Sequence, residues 1–441
     1  MTALGIVAGI LLLSLIMILH ELGHYLVGKR LGFKIEQFSL FMGPVLFERV
    51  KNGVRFNIKA FPIGASVSFA GETEAIEGQT DAVVDRGDPG LFANKPRWAR
   101  ALVIAAGPFV NFLSALLGFA VMFLAVGVAV PKQADVDAAS QAASAGIEKG
   151  DTIVAVNGQR IRTQFDLSML DLTYDAAEPV TLDYIDQDGG ERKTVTLQPA
   201  IIDTRYMLGI SYLPEGDRYT VTAVDKRSNN GNPVLRPNDR VLSIEGVDFT
   251  DDKGVKAVLA ESAGRPLELA IERGGEAMTV TMSPTKMDVY RPLGIYLQHS
   301  NALGDVLVQS LHTPWSIVKS SVSALVMMFS GQLSASDNLT GPVGIVTMVG
   351  DVVTDQSRDI GLRLSQVLLL FGLISVAVGF TNLLPIPPLD GNHLVILAIE
   401  GVLGRNLPEK LKNAISYVGF ALIIGLAIFV VYLDVARLLA K

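Results

Sequence analysis

Four long stretches of this sequence carry no charged residue, and they constrain the fold more than any other feature. They are Met1 to Leu19, Ala101 to Pro131, Leu364 to Leu389 and Asn413 to Leu433. An apolar stretch of about 18 residues or more is long enough to cross a bilayer as a helix. Of the 441 residues, 49% are hydrophobic and 18% are charged, which together indicate a membrane protein that also carries sizeable soluble parts. We therefore predict a polytopic α-helical membrane protein with four transmembrane helices, at residues 1–28, 101–131, 364–389 and 413–441.

Basic residues lie at one end of each stretch and predict its orientation. Because positively charged loops stay in the cytosol, residues 29–100 and 390–412 are expected to be cytosolic and residues 132–363 to lie on the opposite side. The first stretch is expected to be a retained helix and not a signal peptide, since no basic residue precedes it. The basic residues concerned are Lys29, Arg30, Lys34, Lys95, Arg97, Arg100, Arg405, Lys410 and Lys412.

An internal repeat occupies the long segment between the second and third stretches. The run GDTIVAVNG at 150–158 recurs as NDRVLSIEG at 238–246, and the runs at 179–199 and 266–284 also match. Each copy alternates apolar and polar residues and breaks at Asn-Gly, Glu-Gly or Gly-Gly, which is typical of half-buried strands joined by turns. We predict two tandem PDZ-like domains of α+β, partly open barrel type, at 132–212 and 213–298. Such domains capture peptides by strand addition, although they could equally be spacers.

The segment 29–100 is predicted to contain a membrane-associated β-hairpin. Between Gly43 and Gly64 apolar residues alternate with polar ones, and Asn52-Gly53 suits a two-residue turn.

The segment 299–363 is predicted to contain an amphipathic helix. Apolar residues from Leu307 to Phe329 recur every three or four positions, and the opposite face is rich in serine. The apolar stripe could contact the outer membrane surface or pack against the PDZ-like pair. Pro314 is expected to interrupt or kink the helix.

The end of the first stretch carries the run HELGH, which indicates a metal site. His20 and His24 are four residues apart, so on a helix they lie on nearly the same face, about 6 Å apart along the axis. In the H-E-x-x-H arrangement two imidazoles bind Zn²⁺ and the glutamate, here Glu21, is the general base. Ionisable residues at membrane depth are costly, which makes a purely structural role a weak explanation. The sequence has no cysteine, so thiolate ligands are excluded.

A catalytic zinc usually has a third protein ligand, and the end of the third stretch supplies a candidate. Pro385, Pro387 and Pro388 cannot continue a helix, so the chain is expected to unwind there. Asp390 follows at the cytosolic end, the same level as His24, and is our predicted third ligand. Two alternatives remain open: His393 could replace it, or Asp390 could cap the next helix.

With HELGH in the first span and NLLPIPPLDG at the end of the third, the chain resembles site-2 proteases over nearly its whole length. It is most similar to their bacterial regulator-of-sigma-E branch. The resemblance implies that His20, His24 and Asp390 bind one Zn²⁺ per chain and that Glu21 is the catalytic base. It also implies that Asn382, Pro385 and Pro387 hold unwound substrate near the metal.

The resemblance further implies a substrate class and a location. Substrates would be single-span membrane proteins such as an anti-sigma factor, cut within the membrane after their extracytoplasmic part has been trimmed, with the PDZ pair as a size filter. The protein would reside in the bacterial inner membrane among its lipids, with the active site near the cytosol and the PDZ domains in the periplasm. The net charge of −7 gives no indication of nucleic-acid binding.

The sequence departs from the family pattern in the hairpin and after the aspartate. Family members often have G-x-G and P-x-G-G-Y-V-like runs, where this chain has Phe41-Met42-Gly43 and the run PIGASV at 62–67; the last motif reads DGN, not DGG. These departures bear on substrate preference more than on chemistry. Two rival functions are a zinc-stabilised PDZ adaptor without activity and a metal transporter, both of which leave Glu21 or an open zinc position unexplained.

Overall fold

The computed structural model describes residues 2–72, 87–215, 218–331 and 339–439. It divides into two compact units, the first comprising Met1–Pro131, Arg162–Met169 and His299–Tyr432, and the second Lys132–Ile161, Leu170–Gln298 and Leu433–Lys441. The helices are α1 (Ala3–Arg30), α2 (Arg97–Val126), α3 (Gln141–Ser144), α4 (Gln164–Thr173), α5 (Ser228–Gly231), α6 (Asp252–Ser262), α7 (Leu303–Phe329), α8 (Pro342–Thr354), α9 (Ile360–Asn382), α10 (Asp390–Leu403) and α11 (Glu409–Leu439), with a 3₁₀ turn at Phe92–Asn94.

The strands are short in the second unit and long in the first. They are β1 (Ile35–Lys51), β2 (Val54–Phe69), β3 (Val128–Gln133), β4 (Thr152–Val156), β5 (Gln159–Arg160), β6 (Val180–Ile185), β7 (Arg192–Leu197), β8 (Ile201–Met207), β9 (Ile210–Glu215), β10 (Arg218–Val224), β11 (Arg240–Ile244), β12 (Val247–Asp248), β13 (Leu267–Arg273), β14 (Glu276–Met282), β15 (Thr285–Tyr290) and β16 (Leu297–Ser300).

Within the described part of the chain, four helices are long and apolar enough to cross a membrane. They are Ala3–Arg30, Arg97–Val126, Ile360–Asn382 and Lys410–Ala436. The prediction of four membrane-spanning helices is confirmed on length and composition. The third helix ends at Asn382, directly before the prolines, as their missing backbone donors require.

Small residues allow the helices of the first unit to approach closely. A Cβ atom on Gly5 of α1 would lie 2.8 Å from the Cα of Gly350 on α8, and one on Gly372 of α9 would lie 2.5 Å from the ring of Phe119 on α2. Apolar helices in a bilayer associate through this kind of packing, because lipid removes the hydrophobic drive between them. Phe119 and Val376 are fully buried between α2 and α9.

Helix α7 buries its polar face and exposes its apolar stripe. Ser310 and Ser316 are buried, whereas Trp315 is 63% and Phe329 is 90% exposed. The helix runs through Pro314, so the expected interruption does not occur, and a kink at this position stays a prediction. An exposed apolar stripe is what the first of the two alternatives, contact with lipid, requires.

The strands of the first unit form more than the single predicted hairpin. Residues 45–51 pair antiparallel with residues 54–59 around the turn, whereas residues 37–40 lie between residues 55–58 and 65–68 and pair with both. Asn52 and Gly53 both have positive φ, 52° and 80°, which is the type I′ turn expected from Asn-Gly.

In the second unit, the internal repeat builds the same strand pattern twice. The run 150–158 contains β4, which pairs with β6, and β6 in turn pairs antiparallel with β7. The run 238–246 contains β11, which pairs with β13, and β13 in turn pairs antiparallel with β14. The sheet orders are β16-β3-β4-β6-β7 and β14-β13-β11-β10-β9, and β8 pairs with β15 separately. Ile244, Leu269 and Ile271 form the fully buried centre of the second copy.

Candidate metal centre

The two histidines of HELGH point at one place from the last part of α1. Their Nε2 atoms are 3.1 Å apart, and each residue is only 8% exposed. The four-residue spacing puts both rings on one face, as predicted from the sequence.

Asp390 joins them from the first turn of α10. Its Oδ2 lies 3.1 Å from Nε2 of His20 and 3.6 Å from Nε2 of His24. Within the described residues these three side chains form a group whose ligand atoms all lie within 4.8 Å of one another. Ligand atoms around a tetrahedral zinc with bonds of about 2.0–2.1 Å are about 3.3 Å apart, so the donor set and its spacing fit this ion.

The chain reaches Asp390 by folding back tightly after α9. A Cβ on Gly391 would lie 2.2 Å from the carbonyl oxygen of Leu383, and one on Gly419 of α11 would lie 2.3 Å from Cβ of Pro387. Only glycine permits both approaches, so the prolines and these glycines together place the aspartate.

The structure bears on both alternatives to Asp390 as the third ligand: Asp390 as a helix cap, and His393 in its place. Leu389 is the N-cap of α10, with no side-chain cap hydrogen bond, and Asp390 is the first helical residue. His393 is exposed and does not belong to the three-residue group found in the described part of the chain. An ionised carboxylate is the form that binds a cation, and together with two imidazoles it makes a typical zinc donor set.

Glu21 lies beside this group and is tied to the hairpin. Its Oε2 accepts a hydrogen bond from the backbone N–H of Val67 on β2, at 2.9 Å. Ser14, on the same helix, donates from Oγ to the carbonyl oxygen of Pro62, at 2.6 Å. The hairpin therefore runs along α1 at the level of the metal site, with Glu21 between the two.

The residues predicted to contact substrate lie around the unwound segment. Asn382 is the last residue of α9 and is half-buried, Pro385 is exposed, and Pro387 contacts α11. All three are close in sequence to Asp390, but nothing in the structure assigns them a ligand.

Sequence reasoning missed three residues of α2 that complete the site. Val103, Gly107 and Asn111 are spaced by four residues and so share one face. The carbonyl oxygen of Val103 is 2.8 Å from Nδ1 of His24, and the amide of Asn111 is 3.2 Å from Nδ1 of His20. A Cβ on Gly107 would lie 2.3 Å from Nε2 of His24. The available signal was Asn111 itself, an amide inside an otherwise apolar span.

Comparison with known proteins matches one protein family and several named relatives. A family model described as "Peptidase family M50" matches residues 8–426. A protein of Agrobacterium fabrum named "Putative zinc metalloprotease Atu1380" is 29% identical, covering 100% of this chain and 99% of the relative. The "Regulator of sigma-E protease RseP" of Salmonella typhimurium is 28% identical, covering 96% and 97%.

Proposed function

This chain belongs to peptidase family M50 and is a metalloprotease, and from that premise we propose that it is a zinc endopeptidase acting within the membrane. It would hydrolyse a peptide bond in the transmembrane segment of single-span proteins. The observation that carries this proposal is the group of His20, His24 and Asp390, with Glu21 beside it, at the end of an apolar helix.

Two imidazoles and one carboxylate would hold one zinc ion here. Zinc, when bound, lowers the pKa of water to about 7 and polarises the scissile carbonyl. Three protein ligands are typical of catalytic zinc, whereas a structural site is closed by a fourth. The group in the described residues has three members, which favours catalysis over the adaptor hypothesis.

Glu21 is the general base in this proposal. The N–H of Val67 fixes its carboxylate next to the metal ligands. From that position Glu21 takes the proton of the attacking water and passes it to the leaving amine. Hydrolysis then needs no covalent intermediate.

The hairpin is suited to holding an unwound substrate. A helical peptide bond is protected by its own hydrogen bonds, so the substrate must become extended and find other partners before attack. The N–H of Val67 points to Glu21, so this edge of β2 faces the base. A substrate added to that edge as a strand would run past Glu21, with Asn382, Pro385 and Pro387 flanking it.

The remaining parts support a role in regulated proteolysis of membrane proteins. Relatives are named regulators of sigma-E protease, which favours substrates such as an anti-sigma factor, trimmed beforehand outside the membrane. We assign the protein to a bacterial inner membrane, with the active site near the cytosol. The repeat at 132–298 would be a periplasmic PDZ pair that filters substrates by size, and the stripe of α7 would contact lipid.

The test is cleavage of a single-span substrate by the purified full chain in detergent, with bound zinc quantified. Wild type is compared with Glu21→Gln and with Glu36→Gln, a control at an exposed position of β1. We expect cleavage by wild type and the control, and none by Glu21→Gln although zinc is retained. Full activity of Glu21→Gln would refute the assignment of the base. If wild type binds zinc and peptides but cuts no trimmed substrate, the adaptor hypothesis is favoured.

A further inference from the structure

Asn111 is a buried amide directed at a metal ligand from outside the ligand group. It is fully buried on α2, and its Nδ2 is 3.2 Å from Nδ1 of His20. Its Oδ1 is also buried and has no hydrogen-bond partner among the described residues. Which of the two amide atoms faces His20 is assigned from the hydrogen bonds they make, so the hydrogen-bonding requirement of His20 decides this orientation.

His24 shows what a metal-binding histidine needs at this site. Its Nδ1 is 2.8 Å from the carbonyl oxygen of Val103. A carbonyl only accepts, so Nδ1 of His24 carries the hydrogen and Nε2 keeps its lone pair facing Asp390. The backbone of α2 therefore selects the tautomer in which Nε2 can be a ligand.

His20 needs the same tautomer but faces a side chain in place of a carbonyl. For Nε2 of His20 to be a ligand, Nδ1 must carry the hydrogen and find an acceptor. A half-turn of the Asn111 amide about its last bond exchanges Nδ2 and Oδ1, which puts the unsatisfied oxygen against Nδ1. We propose that Asn111 is a positioning residue that accepts a hydrogen bond from His20 and holds it in its zinc-binding tautomer and orientation.

The main chain of Asn111 is held firmly enough for this role. Ser375 of α9 donates from Oγ to the carbonyl oxygen of Asn111, at 3.0 Å. A Cβ on Gly379, one turn further along α9, would lie 3.3 Å from Cβ of Asn111. Asn111 is thus wedged between α9 and the histidine helix, and α2 provides the outer hydrogen-bond partner of both imidazoles. This inference rests on the proposed zinc site.

The test measures zinc affinity by chelator competition on the full chain in detergent. Asn111→Leu keeps the approximate size and removes the acceptor, whereas Asn111→Asp keeps an acceptor. Ser375→Ala is the matched control, because it removes one hydrogen bond to the carbonyl oxygen of Asn111, which still accepts from Oγ of Ser114 at 2.9 Å, and does not touch His20. We expect Asn111→Leu to weaken zinc binding about 10- to 100-fold and the other two variants to stay within about threefold of wild type.

A second readout separates positioning from general packing. A positioning role predicts that Asn111→Leu reduces the rise in melting temperature caused by zinc while the melting temperature in chelator changes little. Wild-type affinity in folded Asn111→Leu would overturn the inference. Should that variant not fold, Asn111→Asp decides, because a loss of more than tenfold in that folded variant would also overturn it. Absence of zinc binding by wild type would instead refute the proposed function, and the inference with it.

Discussion

Gly107 offers the sharpest test of how α2 packs on the proposed metal ligands. In the substitution Gly107→Ala, the added Cβ would lie 2.3 Å from Nε2 of His24 and 2.8 Å from Nε2 of His20. Such contacts are essentially never shorter than 3.0 Å, so the imidazole of His24 or the helix must move by about 0.7 Å. Metal–ligand distances tolerate only about 0.2 Å.

Separation of the two helices would relieve this contact only at the cost of the close packing nearby. A Cβ on Gly23 of α1 would lie 2.4 Å from the carbonyl oxygen of Ala106, which shows how closely the two backbones approach. Whether the imidazole rotates or the helices separate, Nε2 of His24 changes its position relative to Asp390. We expect zinc affinity to fall by at least about 100-fold, more than for the loss of an outer hydrogen bond, and cleavage to fall with it.

The assay is chelator competition for zinc together with cleavage of the single-span substrate. Gly425→Ala is the matched control, since it lies in the apolar helix α11 and its Cβ would meet nothing within 4 Å. Alanine is favoured over glycine in a helix by about 1 kcal/mol, so the control should be at least as stable as wild type. Zinc affinity within threefold of wild type in Gly107→Ala would refute the packing of α2 against His20 and His24.

Three further predictions concern stability in detergent. Lys412→Met should cost about 3 kcal/mol, seen as a lower melting temperature, because Glu400 is fully buried 2.5 Å from that ammonium; no change would contradict this. Burial raises the pKa of Asp166, but hydrogen bonds from Ser316 and Lys319 lower it overall. Its stabilisation is therefore present above about pH 4 and lost below, so the deficit of Asp166→Asn in melting temperature should shrink on acidification, and a constant deficit would disagree. Removal of zinc with a chelator should lower the melting temperature of wild type, and re-addition should restore it.

The features that the sequence predicted correctly depend on local pattern. The absence of charge identifies the spans without any tertiary information, because the cost of a charge in hydrocarbon acts residue by residue. The spacing of His20 and His24 needs only helix geometry, and Asn52-Gly53 needs only the φ preferences of its two residues. The placement of Asp390 beside the two histidines required one more step, the inference that prolines end the third span at the level of His24, and its role as a ligand stays a prediction.

The hairpin shows where a local pattern is insufficient. Alternation between Gly43 and Gly64 predicted one hairpin, yet residues 37–40 also pair, on one side with residues 55–58 and on the other with residues 65–68. Within it Asn57 is buried and Ile58 is 41% exposed, the reverse of a hairpin with an apolar core in water. Phe41 has a φ of 70°, in a region that favours glycine. Residues 55–58 have paired strand segments on both sides, and such long-range pairing cannot be read from periodicity.

The face of α2 is the instructive case, because its pattern was present in the sequence and its meaning was not. Val103, Gly107 and Asn111 are spaced by four residues, so helix geometry alone places them on one face of α2. This face offers a backbone carbonyl oxygen at Val103, room for an imidazole at Gly107 and a side-chain amide at Asn111. That face matters only because α1 lies against it at a distance that glycine permits, with His20 and His24 in the same register. Helix–helix register in a membrane is set by the sum of many small contacts, each weak. A polar residue in a span can therefore be identified from sequence as important, but the partner it serves emerges only from the packing.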